Sequence, residues 1–166
     1  MAGTSLQQES VDAATFKAVM RRLASSVTIV TSRHAGTLNG MTATAVSSVS
    51  AEPPLVLAVA NRANHSYPLI RGGGSFALNI LRDDQADIAD YFARQGDKTF
   101  DDLWHVSGVT GCPVLKSCAA SIECIVESAF DCGSHTIFVG RVVNTAVRQA
   151  TPLIYFDGHF ARIASA

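Results

Sequence analysis

The sequence predicts a mainly β domain whose strands form one closed sheet, with two or three short helices. At least about seven segments are β-branched or alternate apolar with polar residues, and the last third of the 166-residue chain contains little else. A hydrophobic fraction of 48% with 16% charged residues indicates a globular protein with a substantial core. Because no repeat or linker divides the chain, we expect a disordered tail over 1–9 and one domain over 10–166.

Composition also narrows the possible partners and the location. A net charge of −1 gives no basis for binding nucleic acid or an acidic membrane. No apolar run approaches the roughly 20 residues that cross a bilayer, and 1–10 lacks the order of a signal peptide, so we expect a cytoplasmic protein. The low charge predicts that apolar surface is buried against another subunit. The four cysteines form no CxxC pair, which favours reduced, partly buried thiols over a zinc site: Cys112, Cys118, Cys124 and Cys132.

The first elements are a helix and a β-hairpin. Apolar residues recur at helical spacing after Ser10, which is a candidate N-cap: Phe16, Val19, Met20 and Leu23. The β-branched run 27–31 predicts a strand. A turn at 33–36 and a second strand around Thr42 complete the predicted hairpin.

The stretch 40–50 reads GMTATAVSSVS, which is rich in small hydroxyl side chains and carries no charge. Its alternation predicts an extended strand, although it lacks the large apolar residues of a core strand. Small side chains leave the backbone approachable, so a flat ligand can lie against it and be bound by hydroxyls and N–H groups. A surface strand with solvated hydroxyls explains the same composition.

The segment after Pro53-Pro54 predicts a strand followed by a capped helix. Residues 55–60 are apolar on both faces, which is typical of a central, covered strand. The polar loop that follows leads to Ser66 as a candidate N-cap, and the free N–H groups of such a helix start can bind phosphate. An ordinary capped helix explains the loop equally. The glycines at 72–74 end this helix without forming a GxGxxG fingerprint.

The rest of the chain predicts mostly strands. After a strand at 75–81, Asp83 and Asp84 are placed to begin a helix, and the loop 97–106 either covers a pocket or caps the core. Strands follow at 121–129 and 135–147, the second with a bulge at Gly140. A hairpin around Asp157-Gly158 closes the chain.

Four segments in this order resemble the short-chain flavin reductases, the partners of two-component flavin-dependent monooxygenases: GMTATAVSSVS (40–50), PPLVLAVANRANHS (53–66), GSHTIFVGRV (133–142) and PLIYFDGHF (152–160). The resemblance spans nearly all of 16–163. It implies a split β-barrel and a homodimer that holds flavin near the subunit interface. It also implies oxidation of NADH or NADPH with reduction of FMN or FAD, and delivery of the reduced flavin to a monooxygenase.

The resemblance also implies site residues. His135 would lie beside the nicotinamide as the catalytic residue, and relatives often carry an acidic residue in the place of Ser134. No metal is implied. The flavin contacts that the resemblance implies are Met41, Thr42, Ala43, Thr44, Ser47, Ser48, Asn61, Arg62, Ala63, Ser66, Phe100 and Tyr155.

The chemistry of the residues agrees with this expectation but leaves alternatives. Hydride transfer between nicotinamide and flavin needs no protein nucleophile, and the cofactors carry the reaction. A pyridoxamine-phosphate oxidase-like enzyme would need more basic residues around its substrate phosphate. A flavin- or haem-binding carrier would bind its ligand without oxidising NADH. The sequence has no cluster of basic residues to bind the 2′-phosphate of NADPH, which favours NADH as the donor. It does not distinguish FMN from FAD as the acceptor.

Overall fold

The structure, a computed structural model, describes residues 9–164. The predicted tail therefore lies almost wholly outside the described residues. The helices are α1 (Ala13–Met20), α2 (Ser66–Gly73) and α3 (Ala86–Ala93). The strands are β1 (Ser25–Ser26), β2 (Thr28–His34), β3 (Thr37–Ala43), β4 (Val46–Ala51), β5 (Pro54–Asn61), β6 (Ser75–Ile80), β7 (His105–Ser107), β8 (Pro113–Leu115), β9 (Ala120–Cys132), β10 (His135–Val147), β11 (Ile154–Phe156) and β12 (His159–Ala161). Within 9–164, every helix is too short to cross a bilayer.

Seven antiparallel strands form the main sheet in the order β3-β2-β6-β9-β10-β5-β4. Its two edge strands are consecutive in the chain and are joined only by Thr44 and Ala45. Two linking residues span at most about 11 Å between the strand ends, so the sheet must curl until its edges approach. Thr44 and Ala45 form the β3–β4 joint. The N–H of Val59 in β5 donates to the carbonyl of Ala45 at 3.0 Å, which bonds the joint to the sheet. The predicted split β-barrel is confirmed.

Two apolar clusters stabilise the barrel, one inside it and one outside it. The inner cluster includes Val30, Phe76 and Phe138, which are fully buried. The outer cluster joins α3 to β2 and contains Phe92 and Leu81. The predicted bulge in β10 is confirmed by a register shift between Val139 and Gly140, and a Cβ on that glycine would lie 2.6 Å from Cζ of Phe76.

The hydroxyl-rich stretch 40–50 is two strands rather than one. The predicted hairpin is confirmed, since β2 pairs with β3 and Thr28 lies opposite Ala43. Pairing then stops at Thr44 and Ala45, and the chain crosses the split to begin β4 on the other edge. Alternation of small residues continues through the break, which is why the sequence pattern did not reveal it.

Strand β5 differs from the predicted central strand that is covered on both faces. Its inward side chains, Val56, Ala58 and Ala60, are buried, whereas Leu57 and Val59 on the outer face are only half-buried. The strand lies next to the edge strand β4, and nothing within 9–164 fully covers this outer face. The outer face is therefore apolar but accessible in the single chain.

The helix starts differ from the sequence-based prediction. Asp12, not Ser10, is the N-cap of α1, and its carboxylate accepts the N–H groups of Ala14 at 2.9 Å and Thr15 at 3.0 Å. Helix α3 begins at Ala86 instead of at the aspartates. Asp84 is paired with Arg82 at 2.8 Å, so its carboxylate is not used at the helix start.

The apolar stripe of α1 is exposed, although its spacing predicted packing. Phe16 and Val19 are 56% and 65% exposed, and Leu23, which lies beyond the end of α1 at Met20, is 59% exposed. The helix has no buried residue among those described. The helical periodicity is confirmed, but no part of 9–164 buries the stripe.

The four cysteines are free thiols, as predicted. Cys112, Cys118 and Cys124 are buried, and Cys132 at the end of β9 is exposed. Burial raises the pKa of Cys118 to about 12. Burial likewise raises the pKa of Cys124 to about 12, with smaller effects from Cys112 and Glu123. Protonated thiols in a core are chemically inert.

Candidate active site

Two grooves meet at the β3–β4 joint. The first, which we call the helix groove, has a volume of about 430 Å³ and lies between α1, the joint and Tyr155. The second, the split groove, has a volume of about 410 Å³ and enters the barrel between its edges. Ser25 and Thr44 line both grooves. The joint therefore borders both grooves.

Thr44, Ser47 and Ser48 give the joint a polar but uncharged wall. All three are exposed, and the Ser47 hydroxyl donates to the carbonyl of Ser48 at 3.2 Å. Beyond them the split groove is apolar, with Val56 and Ile122 among its lining residues. A flat ring with carbonyl and N–H groups on its edge suits such a wall, because hydroxyls both donate and accept. These residues therefore fit the isoalloxazine of a flavin.

Tyr155 reaches this site from the other end of the chain. It lies opposite Ser25 in the β1–β11 pair, is 39% exposed and packs against Phe160 with ring centroids 5.8 Å apart. The short hairpin that carries it turns at Asp157 and Gly158, both with positive φ, as predicted. The structure thus brings Tyr155 and Thr44 to one groove across more than 100 residues of sequence.

Three residues of β3 that were predicted to contact flavin do not present free side chains. Met41 and Ala43 are 5% and 8% exposed and belong to the inner cluster. The Thr42 hydroxyl donates to the carbonyl of Ala89 in α3 at 2.6 Å. Contact between these residues and a ligand would have to use the backbone.

Phe100 and Ser66 also differ from their predicted roles. Phe100 is 5% exposed and packs between Phe92 and His105, with ring centroids at 5.6 and 5.2 Å. The loop that carries it caps the outer cluster instead of covering a ligand. Ser66 is fully buried, and its hydroxyl has no hydrogen-bond partner in the described part of the chain. Neither side chain lines either groove.

His135 lies at the end of β10 opposite Asn61, the last residue of β5. Both side chains are exposed. The hydroxyl of Ser134 is 2.9 Å from Nδ1 of His135, so the ring has a fixed neighbour on one nitrogen. His135 is thus exposed at the first residue of β10.

The loop after β5 leads into α2 without the predicted Ser66 cap, since the N-cap is His65 and its side chain makes no capping hydrogen bond. The Asn61 side chain accepts the N–H of Ala63 at 2.9 Å, and the Asn64 side chain accepts the N–H of Ser66 at 2.8 Å. Since these N–H groups are already paired, the start of α2 offers few free donors to a phosphate. A small polar pocket of about 210 Å³ beside the loop is lined by Asn61 and Ala63, with Arg94 on its far side.

The β3–β4 joint and His135 lie near the same end of β5. The joint is held opposite Val59, and Asn61 follows two residues later, a distance of about 7 Å along a strand. His135 is directly across from Asn61. Ser47 and Ser48 pair with Leu57 and Val56, so they lie roughly 13 to 17 Å from Asn61 along β5, on the side of β5 away from β10.

Sequence reasoning missed several residues that line the helix groove. Lys17 and Arg21 lie one turn apart on α1 and face the groove, together with Met20 and with Ser25 of β1. The signal in the sequence was the i, i+4 spacing of the two basic residues beside the apolar stripe. That stripe was interpreted only as packing, so the basic residues received no role.

Comparison with known proteins places this chain in one family. The model described as "Flavin reductase like domain" matches residues 20–164. The chain is 37% identical to the reductase component of a 4-nitrophenol 4-monooxygenase/4-nitrocatechol 2-monooxygenase from Rhodococcus opacus, over 92% of this chain and 82% of that protein. It is 35% identical to an FMN reductase (NADH) from Agrobacterium fabrum, over 90% and 85%.

A solved structure agrees. An NADH:FAD oxidoreductase from Streptomyces globisporus, in complex with NAD and FAD fragments, superposes with a TM-score of 0.87 at 29% identity. The match covers 95% of this chain and 98% of that one. The resemblance stated from the four sequence segments is confirmed, and this chain belongs to the flavin reductase family.

Proposed function

We propose that this chain transfers a hydride from NADH or NADPH to FMN or FAD. The observation that carries the proposal is the uncharged hydroxyl wall at Thr44, Ser47 and Ser48, which borders the split groove and, through Thr44, the helix groove. When bound, the flavin supplies the hydride acceptor, so the protein needs no nucleophile or metal. Its task is to hold two rings in contact.

Each residue has a limited part in this proposal. Thr44, Ser47 and Ser48 bind the edge of the flavin ring, and Tyr155 borders it from the helix groove. His135 orients the nicotinamide and helps to keep water from the reacting faces. Backbone N–H groups along the wall stabilise the negative charge that the reduced ring gains. Asn61 shapes the turn between the two binding regions.

Relatives support the choice of cofactors and of a partner enzyme. One relative is named an FMN reductase (NADH), and one neighbour is an NADH:FAD oxidoreductase, so NADH is the expected donor and both flavins are candidate acceptors. Another is the reductase component of a monooxygenase. We therefore propose that the reduced flavin passes to a flavin-dependent monooxygenase. Reduced thiols and NADH agree with a cytoplasmic location.

A homodimer would cover the apolar surface that the single chain exposes. The outer face of β5 and β10 presents half-buried Leu57, Val59, Ile137 and Val139, and Phe130 beside them is 56% exposed. A contiguous apolar patch on a protein of low charge is typical of an interface. His135 and Asn61 are at the end of this same face, so the partner subunit would lie beside the site.

The proposal is tested by steady-state oxidation of NADH and NADPH with FMN, FAD and no flavin. We expect oxidation only when flavin is present, with NADH the better donor. Pyridoxamine phosphate serves as a control substrate and should not be oxidised, because the site has few basic residues. Absence of NADH and NADPH oxidation with both flavins, under anaerobic and aerobic conditions, would contradict the proposal.

A further inference from the structure

Arg62 connects the end of β5 to the turn that carries His135. Its backbone N–H donates to the carbonyl of Ser134 at 3.0 Å. Its guanidinium donates through Nη2 to the carbonyl of Gly133 and through Nη1 to the carbonyl of His135 at 3.4 Å. One residue thus binds three successive carbonyl groups of the β9–β10 turn, and the guanidinium bridges the two on either side of Ser134.

The turn itself is short and exposed. Only Gly133 and Ser134 separate β9 from β10, and Gly133 has a positive φ of 57°. Below the turn, Thr136 is buried and donates to Asp131 at 2.7 Å, which fixes the strands. The carbonyl groups of the turn itself accept hydrogen bonds from Arg62. His135 is also paired with Asn61 and Cys132 in the sheet, and the Arg62 side chain adds a further tie at the turn beside it.

The chemistry of arginine suits this task. Its planar guanidinium presents donors in a fixed fork, so it can join two carbonyl groups at a set separation, which the compact ammonium of lysine does not reproduce. A charged donor also makes stronger hydrogen bonds to carbonyl oxygens than a neutral one. Two of the five guanidinium N–H groups bond the turn, although the resemblance assigned Arg62 to the flavin.

We propose that Arg62 is a positioning residue for His135 and not a ligand of the flavin phosphate. The inference rests on the proposed function, since His135 matters there for placing the nicotinamide. Displacement of a positioning group by about 1 Å can cost a large factor in rate, even when binding is unchanged. Arg62 therefore acts on the nicotinamide side of the reaction and leaves the flavin side untouched.

The experiment compares Arg62→Ala and Arg62→Lys with the wild-type chain. Flavin affinity is measured by fluorescence titration with FMN and with riboflavin, which lacks the phosphate. Turnover gives kcat and KM for NADH. Arg71→Ala is the matched control, because Arg71 is half-exposed and lies 3.9 Å from Asp131 of the same hairpin, but contacts no part of the turn.

We expect both Arg62 variants to keep the affinity for FMN and riboflavin within about twofold, and kcat/KM for NADH to fall by roughly tenfold. The lysine variant should resemble the alanine variant, since charge without the fork does not restore the turn. Arg71→Ala should match wild type. A loss of FMN affinity that spares riboflavin and is restored by lysine would overturn the proposal, because that pattern identifies a phosphate ligand.

A double-mutant cycle with His135→Ala tests whether Arg62 acts through the histidine. If it does, Arg62→Ala should have little further effect on NADH turnover once His135 is gone. If Arg62→Ala lowers NADH turnover by the same factor with and without His135, the proposal is contradicted.

A third readout is independent of activity. Hydrogen–deuterium exchange of a peptide covering residues 130–138 should increase in Arg62→Ala but not in Arg71→Ala. Unchanged exchange in Arg62→Ala would show that Arg62 does not hold the β9–β10 turn, whether or not the wild-type chain oxidises NADH. Increased exchange in Arg62→Ala together with an inactive wild-type chain would contradict only the proposed function.

Discussion

His135 is held in place by a neighbour that adds no charge. The Ser134 hydroxyl lies 2.9 Å from Nδ1 of the ring and can donate to it or accept from it. Such a partner orients the imidazole in either tautomer, whereas the acidic residue that relatives often carry would accept only. The ring is thereby fixed, and its other nitrogen can face a ligand.

Replacement of the histidine tests its place in the site. We expect His135→Ala to raise the KM for NADH by about 3- to 10-fold, which corresponds to the loss of one hydrogen bond. Affinity for FMN should stay within about twofold, because the hydroxyl wall is on a different strand. Fluorescence titration and steady-state kinetics measure the two quantities. An equal loss of FMN affinity would place His135 in the flavin contacts.

The cysteines give a residue-scale test of burial. Since burial raises the pKa of Cys118 and of Cys124 to about 12, both stay protonated at pH 8, and Cys112 is buried as well. Only the exposed Cys132 should react rapidly with a thiol reagent in the native protein. Denaturant should expose all four. Rapid native labelling of two or more thiols would contradict the described core.

At the scale of elements, the joint between β3 and β4 creates the site. A continuous strand would leave the two sheet edges far apart, and the grooves would not form. The break at Thr44 and Ala45 lets one short connection cross the split and present β4 hydroxyls on the other edge. The small, uncharged side chains of the stretch are tolerated because much of β4 is exposed.

The loop after α3 caps the core, and one residue tests this. Phe100 is packed between Phe92 and His105. We expect Phe100→Leu to lower the free energy of unfolding by about 1–2 kcal/mol, measured by urea denaturation. Affinity for FMN should not change. A variant with wild-type stability and weakened FMN binding would restore the role that the resemblance assigned to this phenylalanine.

Local patterns predicted the elements well, but not how they meet. β-branched runs identified the hairpin of β2 and β3, and turn residues located the Asp157-Gly158 hairpin. Long-range packing decided the rest. Phe100 is buried because α3 folds over it, and β5 is half-covered because it lies beside an edge. No local periodicity contains that information.

The residues that the motif assigned to the site also fall into two groups, those with exposed side chains and those with buried ones. The motif placed Thr44, Tyr155 and His135 where the structure presents exposed side chains. It also included Met41 and Ala43, whose inward direction follows from strand alternation once β3 is paired. The family motif identifies the segment of chain that forms the site. The pairing of the strands decides which side chains of that segment face solvent.

At the scale of the whole molecule, the single chain exposes apolar surfaces on α1 and on the outer face of β5 and β10. If these surfaces form an interface, sedimentation equilibrium should give twice the 17.5 kDa mass of one chain. Phe130→Glu should weaken the assembly, because it places a charge in the apolar patch. Val147→Glu, at an 85% exposed position, is the control. A monomer at all concentrations would contradict the proposed dimer.

The central claim is that the flavin ring lies against the hydroxyl wall of the joint, with one face open toward His135. The most direct measurement is a crystal structure of the protein with FMN bound. We predict ring atoms within van der Waals contact of Thr44, Ser47 and Ser48, and a free face within reach of His135. An FMN ring bound elsewhere, with these hydroxyls facing bulk solvent, would contradict the account.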